Sequence, residues 1–145
     1  MTPTTHKTKR KQKQMALKRG IYMMTAAKEH FLLASDLKGN RVVNKNAEDL
    51  GTLEDYMIDL QNGRIAYAVL SFGGWFGMGN KLFPIPWSAL TMQLYDNNLR
   101  IILNVDKEVL QKAQGFDKSQ LPLSYDELSN VYTYYGYKPY WQTGD

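Results

Sequence analysis

The chain of 145 residues has room for one hydrophobic core with some trailing sequence, which excludes two domains with separate active sites. A composition of 43% hydrophobic and 22% charged residues is globular, and with no cysteine there is no disulfide framework, thiolate nucleophile or zinc-thiolate site. The net charge of +4 conceals an asymmetry: residues 1–28 hold eight of the 18 basic residues and no acid, so the other ten face all 14 acidic residues, a balance of −4.

The opening, with Thr2, Pro3, Thr4, Thr5 and Thr8 and a Lys/Gln run over 9–14, cannot bury enough apolar surface to offset chain ordering. We therefore read 1–28 as a basic, mostly disordered tail. The apolar residues near its end, Ile21, Tyr22, Met23, Met24, Ala26 and Ala27, lack a sustained hydrophobic region, and Lys18 and Arg19 directly precede them. That is a poor secretory signal, and a cytoplasmic location is expected. The longest charge-free stretch, Ile65 to Asn80, is 16 residues with four glycines, too short and too interrupted to span a bilayer.

From Phe31 onward, short strands divided by turn chemistry are expected. His30 to Ser35 is mainly apolar, a polar bend follows at 36–40, and Arg41–Asn44 resumes. Leu50–Leu60 leads through Asn62-Gly63, a hairpin signal because both residues tolerate positive φ, into Arg64–Phe72. On that second strand Ile65, Tyr67 and Val69 fall on one face and Ala66, Ala68, Leu70 and Phe72 on the other. Both faces are apolar, which suits a strand inside a closed barrel or one covered by an extra helix. Lys81–Pro86 carries Pro84 and Pro86 on one side and is expected at an edge. Trp87–Leu90 reads as a short turn, Thr91–Tyr95 and Leu99–Val105 as a second hairpin, and 106–113 as a two-turn helix capped by Asp106.

The last element has the clearest signals. Ser124 and Glu127 form a capping box, Leu123 and Leu128 a hydrophobic staple, and Leu128, Val131, Tyr132 and Tyr135 an i, i+3, i+4, i+7 stripe that Gly136 and Pro139 terminate. Such an amphipathic helix needs a surface to lie on. The chain thus divides into a tail over 1–28, a domain over 29–118 and a C-terminal helix with an aromatic ending over 119–145.

Several segments in order carry a resemblance: Gly51–Asp59, Asn62–Val69, the run Gly73-Gly-Trp-Phe-Gly-Met-Gly79, Leu82–Trp87 and Val105–Lys107. Together they resemble a PRC-barrel domain, the family named for the cytoplasmic domain of the H polypeptide of the photosynthetic reaction centre and including the C-terminal domain of the ribosome maturation factor RimM. Tyr132–Trp141 is similar to the ending of stand-alone bacterial members. The resemblance implies a mainly β fold, a small barrel of about six strongly bent strands, to which the residues themselves add a short helix and a C-terminal amphipathic helix. It also implies use as an assembly or docking module, with no shared catalytic residue and no cofactor.

The residues eligible for chemistry have plainer readings. Asp55 and Asp59 share a strand face but stand roughly 13 Å apart at about 3.3 Å per residue, too far for a shared proton or a glycosidase pair. Asp59 is expected to accept from amides near Asn62-Gly63, and Asp55 to pair with a cation. His30, with no acidic neighbour to fix its tautomer, reads as a capping or partly buried residue. The glycine run fails as a phosphate loop, because Asn80 separates Gly79 from Lys81 and Leu82 follows. Its Trp75, Phe76 and Met78 either fold back on the barrel rim or form a contact site for another protein. Tyr134, Tyr137, Tyr140 and Trp141 at the aromatic end pose the same choice between internal packing and a partner interface.

The combined expectation is a non-enzymatic protein-interaction module whose partner is another protein or a second copy in a homodimer. Candidate contacts are Trp75, Phe76, Met78, Tyr134, Tyr137, Tyr140 and Trp141. The alternative is an RNA- or ribosome-associated factor. In that reading Lys7, Lys9, Arg10, Lys11, Lys13, Lys18 and Arg19 attract nucleic acid, and they would equally attract an anionic membrane surface.

Overall fold

The computed structural model of the protein describes residues 31–73, 80–95 and 98–142. Alternating apolar residues between turn signals form six strands: β1 (Arg41–Val43), β2 (Asp49–Asp59), β3 (Arg64–Gly73), β4 (Asn80–Pro86), β5 (Leu90–Tyr95) and β6 (Asn98–Leu103). They make one sheet in the order β4-β3-β2-β1-β6-β5, antiparallel throughout except for the parallel β1–β6 pair. Val42, Leu50, Leu53, Leu70, Ile85 and Ile101, drawn from all strands but β5, are buried in one core, and Leu90 and Met92 of β5 pack against it. The sheet therefore curls around its contents like a barrel. Among the described residues β4 and β5 do not pair, so the expected closed barrel is an open one, and a 3-10 corner at Trp87–Ala89 joins its two edges.

Bulges produce the bending. Leu53 pairs with Leu70 and Asp55 with Val69, so Glu54 is an extra residue that turns Leu53 inward and leaves Asp55 exposed. On β3 the extra residue is Ala66, between Ile65 and Tyr67. It joins Tyr67 and Val69 in a second apolar cluster rather than Ala68, Leu70 and Phe72, to which simple alternation assigned it. Gly51 lets β2 cross β3 closely: a Cβ there would lie 2.2 Å from the Ser71 carbonyl oxygen, at a φ of 116°.

Among the described residues three α-helices follow the sheet's needs: α1 (Ala34–Leu37), α2 (Lys107–Gln111) and α3 (Tyr125–Tyr134). In place of the strand expected over 30–35, residues 31–33 form no regular element and one helical turn begins at Ala34; Leu37 anchors it in the core, and Asn40 donates to the Leu37 carbonyl at 3.0 Å. Asp106 stands at the N-cap of α2 but its side chain makes no capping bond, and the helix is shorter than its pattern suggested. The hairpin between β2 and β3 also differs from the expected two-residue turn. Strand pairing ends at Asp59 and Arg64, the loop is 60–63, and only Gly63 has a positive φ, because the Asp59 side chain gathers the Gln61 and Asn62 amides into a tight turn.

Helix α3 has the expected capping box, Ser124 Oγ accepting from the Glu127 amide while Glu127 accepts from the Ser124 amide. It closes in a Schellman motif: Tyr137 N–H donates to the Tyr132 carbonyl and Gly136 N–H to that of Thr133, with Gly136 at a φ of 82°. Its Leu128 and Tyr132 bury against Ala66, Tyr67 and Val69. This is why β3 is apolar on both faces: the barrel interior covers one and α3 the other.

Candidate functional site

Two surfaces of this fold carry unusual chemistry. One is the seat of the C-terminal segment on the β2–β3 hairpin. Asp59, buried at the end of β2, accepts from the Gln61 and Asn62 amides at 3.0 Å each, from Asn62 Nδ2 at 2.8 Å, from the Tyr125 hydroxyl at 3.0 Å and from the Tyr140 hydroxyl. One carboxylate thus ties together its own turn, the first residue of α3 and the chain beyond that helix. Burial works to raise its pKa, but the donors Tyr140, Asn62 and Tyr125 outweigh this and hold the carboxyl well below the usual range. Tyr140 moves the other way: burial and the Asp59 charge push its phenol up. The Arg64 guanidinium lies 4.2 Å from the Tyr140 ring centroid, and Trp141 packs edge-on against Tyr125, Tyr132 and Tyr140. The cation and the acid of this cluster already serve one another's neighbours, so its chemistry is that of a clasp.

The second surface is an open apolar groove of about 550 Å³ beside the Trp87 corner. Phe31, Leu37, Tyr56, Trp87, Met92 and Leu94 are among its walls, contributed by the segment before β1, by β2, by the corner and by β5. The chain at its rim is unusually apolar for exposed surface: Phe31 is 81% and the adjoining Leu33 71% accessible. The described walls of this groove are aliphatic and aromatic, so it can hold apolar side chains.

The candidate residues separate as follows. Tyr140 and Trp141 pack internally in the clasp. Tyr134 donates to the Val109 carbonyl and remains 45% exposed, and Tyr137 is 38% exposed. Asp59 takes the turn amides as anticipated, and Asp55 pairs with Lys38 at 3.6 Å. Trp75, Phe76, Met78, His30 and the basic residues Lys7 to Arg19 lie outside the described residues. Among the described residues no three metal-ligating side chains come together, and no helix is long and apolar enough to cross a membrane. Sequence reasoning missed the groove. Its local traces were the mainly apolar stretch at 30–35, read as a strand, and the alternation of Met92 and Leu94. The union of Asp59 with Tyr125 and Tyr140, 66 and 81 residues away, had no local trace.

Compared with known proteins, residues 29–110 match the family model of the PRC-barrel domain. No curated protein matches the chain.

Proposed function

Because the chain belongs to the PRC-barrel family, we propose that it is a non-enzymatic protein-interaction and assembly module that docks a partner protein, or a second copy of itself, in the groove beside Trp87. The observation that carries this reading is the apolar groove with Phe31 exposed at its rim, beside the likewise exposed chain at Leu33. Apolar surface of that kind is costly to leave in water, and Trp, Tyr and Met are the side chains that interfaces favour. Trp75, Phe76 and Met78 join the proposal as a second contact, with Tyr134 and Tyr137 as further aromatic surface. The acids once eligible for catalysis support the non-enzymatic reading, since Asp55 is spent on an exposed ion pair and Asp59 on the clasp. We place this activity in the cytoplasm.

Affinity purification with the full-length chain and with a Leu94→Glu variant tests the reading. A discrete partner, or self-association, that the wild type shows and the variant loses is the expected result; equal capture by both refutes the groove as the docking surface. A second reading, an RNA- or ribosome-associated factor, rests on the eight cations of residues 1–28 set against a balance of −4 elsewhere. If four or five of those cations meet phosphates, RNA affinity falls by more than about a hundredfold over a tenfold rise in salt. Salt-resistant preference for one RNA would favour this second function, whereas equal, salt-sensitive binding to any RNA and to anionic vesicles would make the tail a generic polyanion anchor.

A further inference from the structure

Phe31 stands at the rim of the groove, and residues 1–30 join the fold there. Within those 30 residues the longest apolar run is Ile21–Ala27, set between Arg19 and Lys28. Ala27 is four residues from Phe31, at most about 14 Å of extended chain, and Ile21 is ten residues away, about 35 Å at most. That is enough chain for the run to lie in the groove. Its Met23 and Met24 are unbranched and adaptable, suited to an irregular apolar cleft. Charge agrees with this placement: the cations beside the run, Lys18, Arg19 and Lys28, belong to a tail of +8, whereas the rest of the chain is at −4. Asp36 on α1 directly precedes the wall residue Leu37, and Glu54 on β2 stands two positions before the wall residue Tyr56.

We propose that Ile21–Ala27 of the same chain fills the groove beside Trp87 and competes there with the docked partner. A tether of a few residues gives such a segment an effective concentration in the millimolar range, so modest contacts suffice to occupy the site, and a partner must displace them. The competition rests on the reading of the groove as the docking surface; the occupancy does not.

Methyl NMR on the full chain labelled at its methionines tests occupancy directly, because Met92 lies in the groove and Met23 and Met24 in the segment. Cross-peaks between the Met92 methyl and that of Met23 or Met24 are expected, and in the full-length Ile21→Asp/Met23→Asp variant they vanish and the Met92 resonance shifts. A synthetic peptide of residues 17–29 should then bind that variant at least tenfold more tightly than the wild type, whose groove is filled. Absent cross-peaks together with an unshifted Met92 in the variant would overturn the proposal. Cross-peaks found only between differently labelled chains in a mixed sample would overturn it in favour of exchange with a second copy. Cross-peaks present but partner capture equal in variant and wild type would leave the occupancy standing and sink the competition with a partner.

Discussion

Replacing Asp59 by asparagine keeps the shape of the side chain and removes only its charge and one acceptor. Oδ1 must remain an oxygen, because it receives the Gln61 and Asn62 backbone amides, which cannot reverse. The new amide group then faces Asn62 Nδ2 and the Tyr140 hydroxyl, both donors to Oδ2 in the native protein. Asn62 can flip and Tyr140 can rotate to accept, so the loss is the charge assistance of these bonds more than the bonds themselves. Hydrogen bonds to charged groups contribute about 1.5–3 kcal/mol, and partial rearrangement puts the Asp59→Asn cost near about 2–3 kcal/mol. For a domain of this size that lowers the melting temperature by roughly 10 °C.

Guanidinium denaturation measures the change, and pairing the variant with Tyr140→Phe in a double-mutant cycle isolates the contact; a coupling of about 1 kcal/mol or more is expected. The pH dependence supplies a second signature. The folded carboxyl titrates below its unfolded value of about 3.9, so the unfolded chain binds the proton first as the medium is acidified. The contribution of Asp59 is therefore complete above about pH 5 and is lost as pH falls through 3.9 toward the folded value, and Asp59→Asn abolishes that part of the slope. A variant within about 0.5 kcal/mol of the wild type, with an unchanged acid limb, would refute the clasp as a stabilising device.

Alkali should act on the same segment: burial lifts the Tyr132 phenol to about 12, so its contribution is intact below about pH 10 and is lost as pH rises through 12, which ultraviolet titration alongside circular dichroism will follow. Gly51→Ala places a Cβ 2.2 Å from the Ser71 carbonyl oxygen at a φ of 116°, and a loss of more than about 3 kcal/mol by chemical denaturation is expected; a near-neutral result would mean that β2 does not cross β3 so closely. Ser124→Ala should cost about 1 kcal/mol through one lost cap bond. Tyr132→Ala, which empties a buried site and removes a hydrogen bond to the Ala66 carbonyl, should cost about 3 kcal/mol or more. Equal small effects would show that α3 is not docked on β3.

Local chemistry is enough to place most elements of this chain. The capping box at Ser124 and the glycine at 136 mark both ends of α3, the proline pair assigns β4 to an edge, and the two apolar faces of β3 suit a strand inside a closed barrel or one covered by a helix. Each of these signals depends on residues within a few positions of one another, whose geometry the backbone itself dictates. Where local pattern and structure part, the cause is a neighbour distant in sequence. A helical turn forms at Ala34–Leu37, in place of the strand expected over 30–35, because Leu37 finds the core, Ala66 changes sides because β2 and β3 differ by one residue over that stretch, and the Asn62-Gly63 turn takes its form from the Asp59 carboxylate.

The candidate surfaces were less legible than the fold for the same reason. The groove is a shape left between the segment before β1, residues of β2 and β3, the Trp87 corner and the β5–β6 hairpin, elements far apart in sequence. No single segment carries its signature. The aromatic ending illustrates the converse: composition identified Tyr134, Tyr137, Tyr140 and Trp141 as available for contact, but only the tertiary structure decides that Tyr140 and Trp141 are held by Asp59, Arg64 and Tyr132 while Tyr134 and Tyr137 keep exposed faces. Side-chain type sets what a residue can bond to, and the fold sets which of those bonds are already made within the chain.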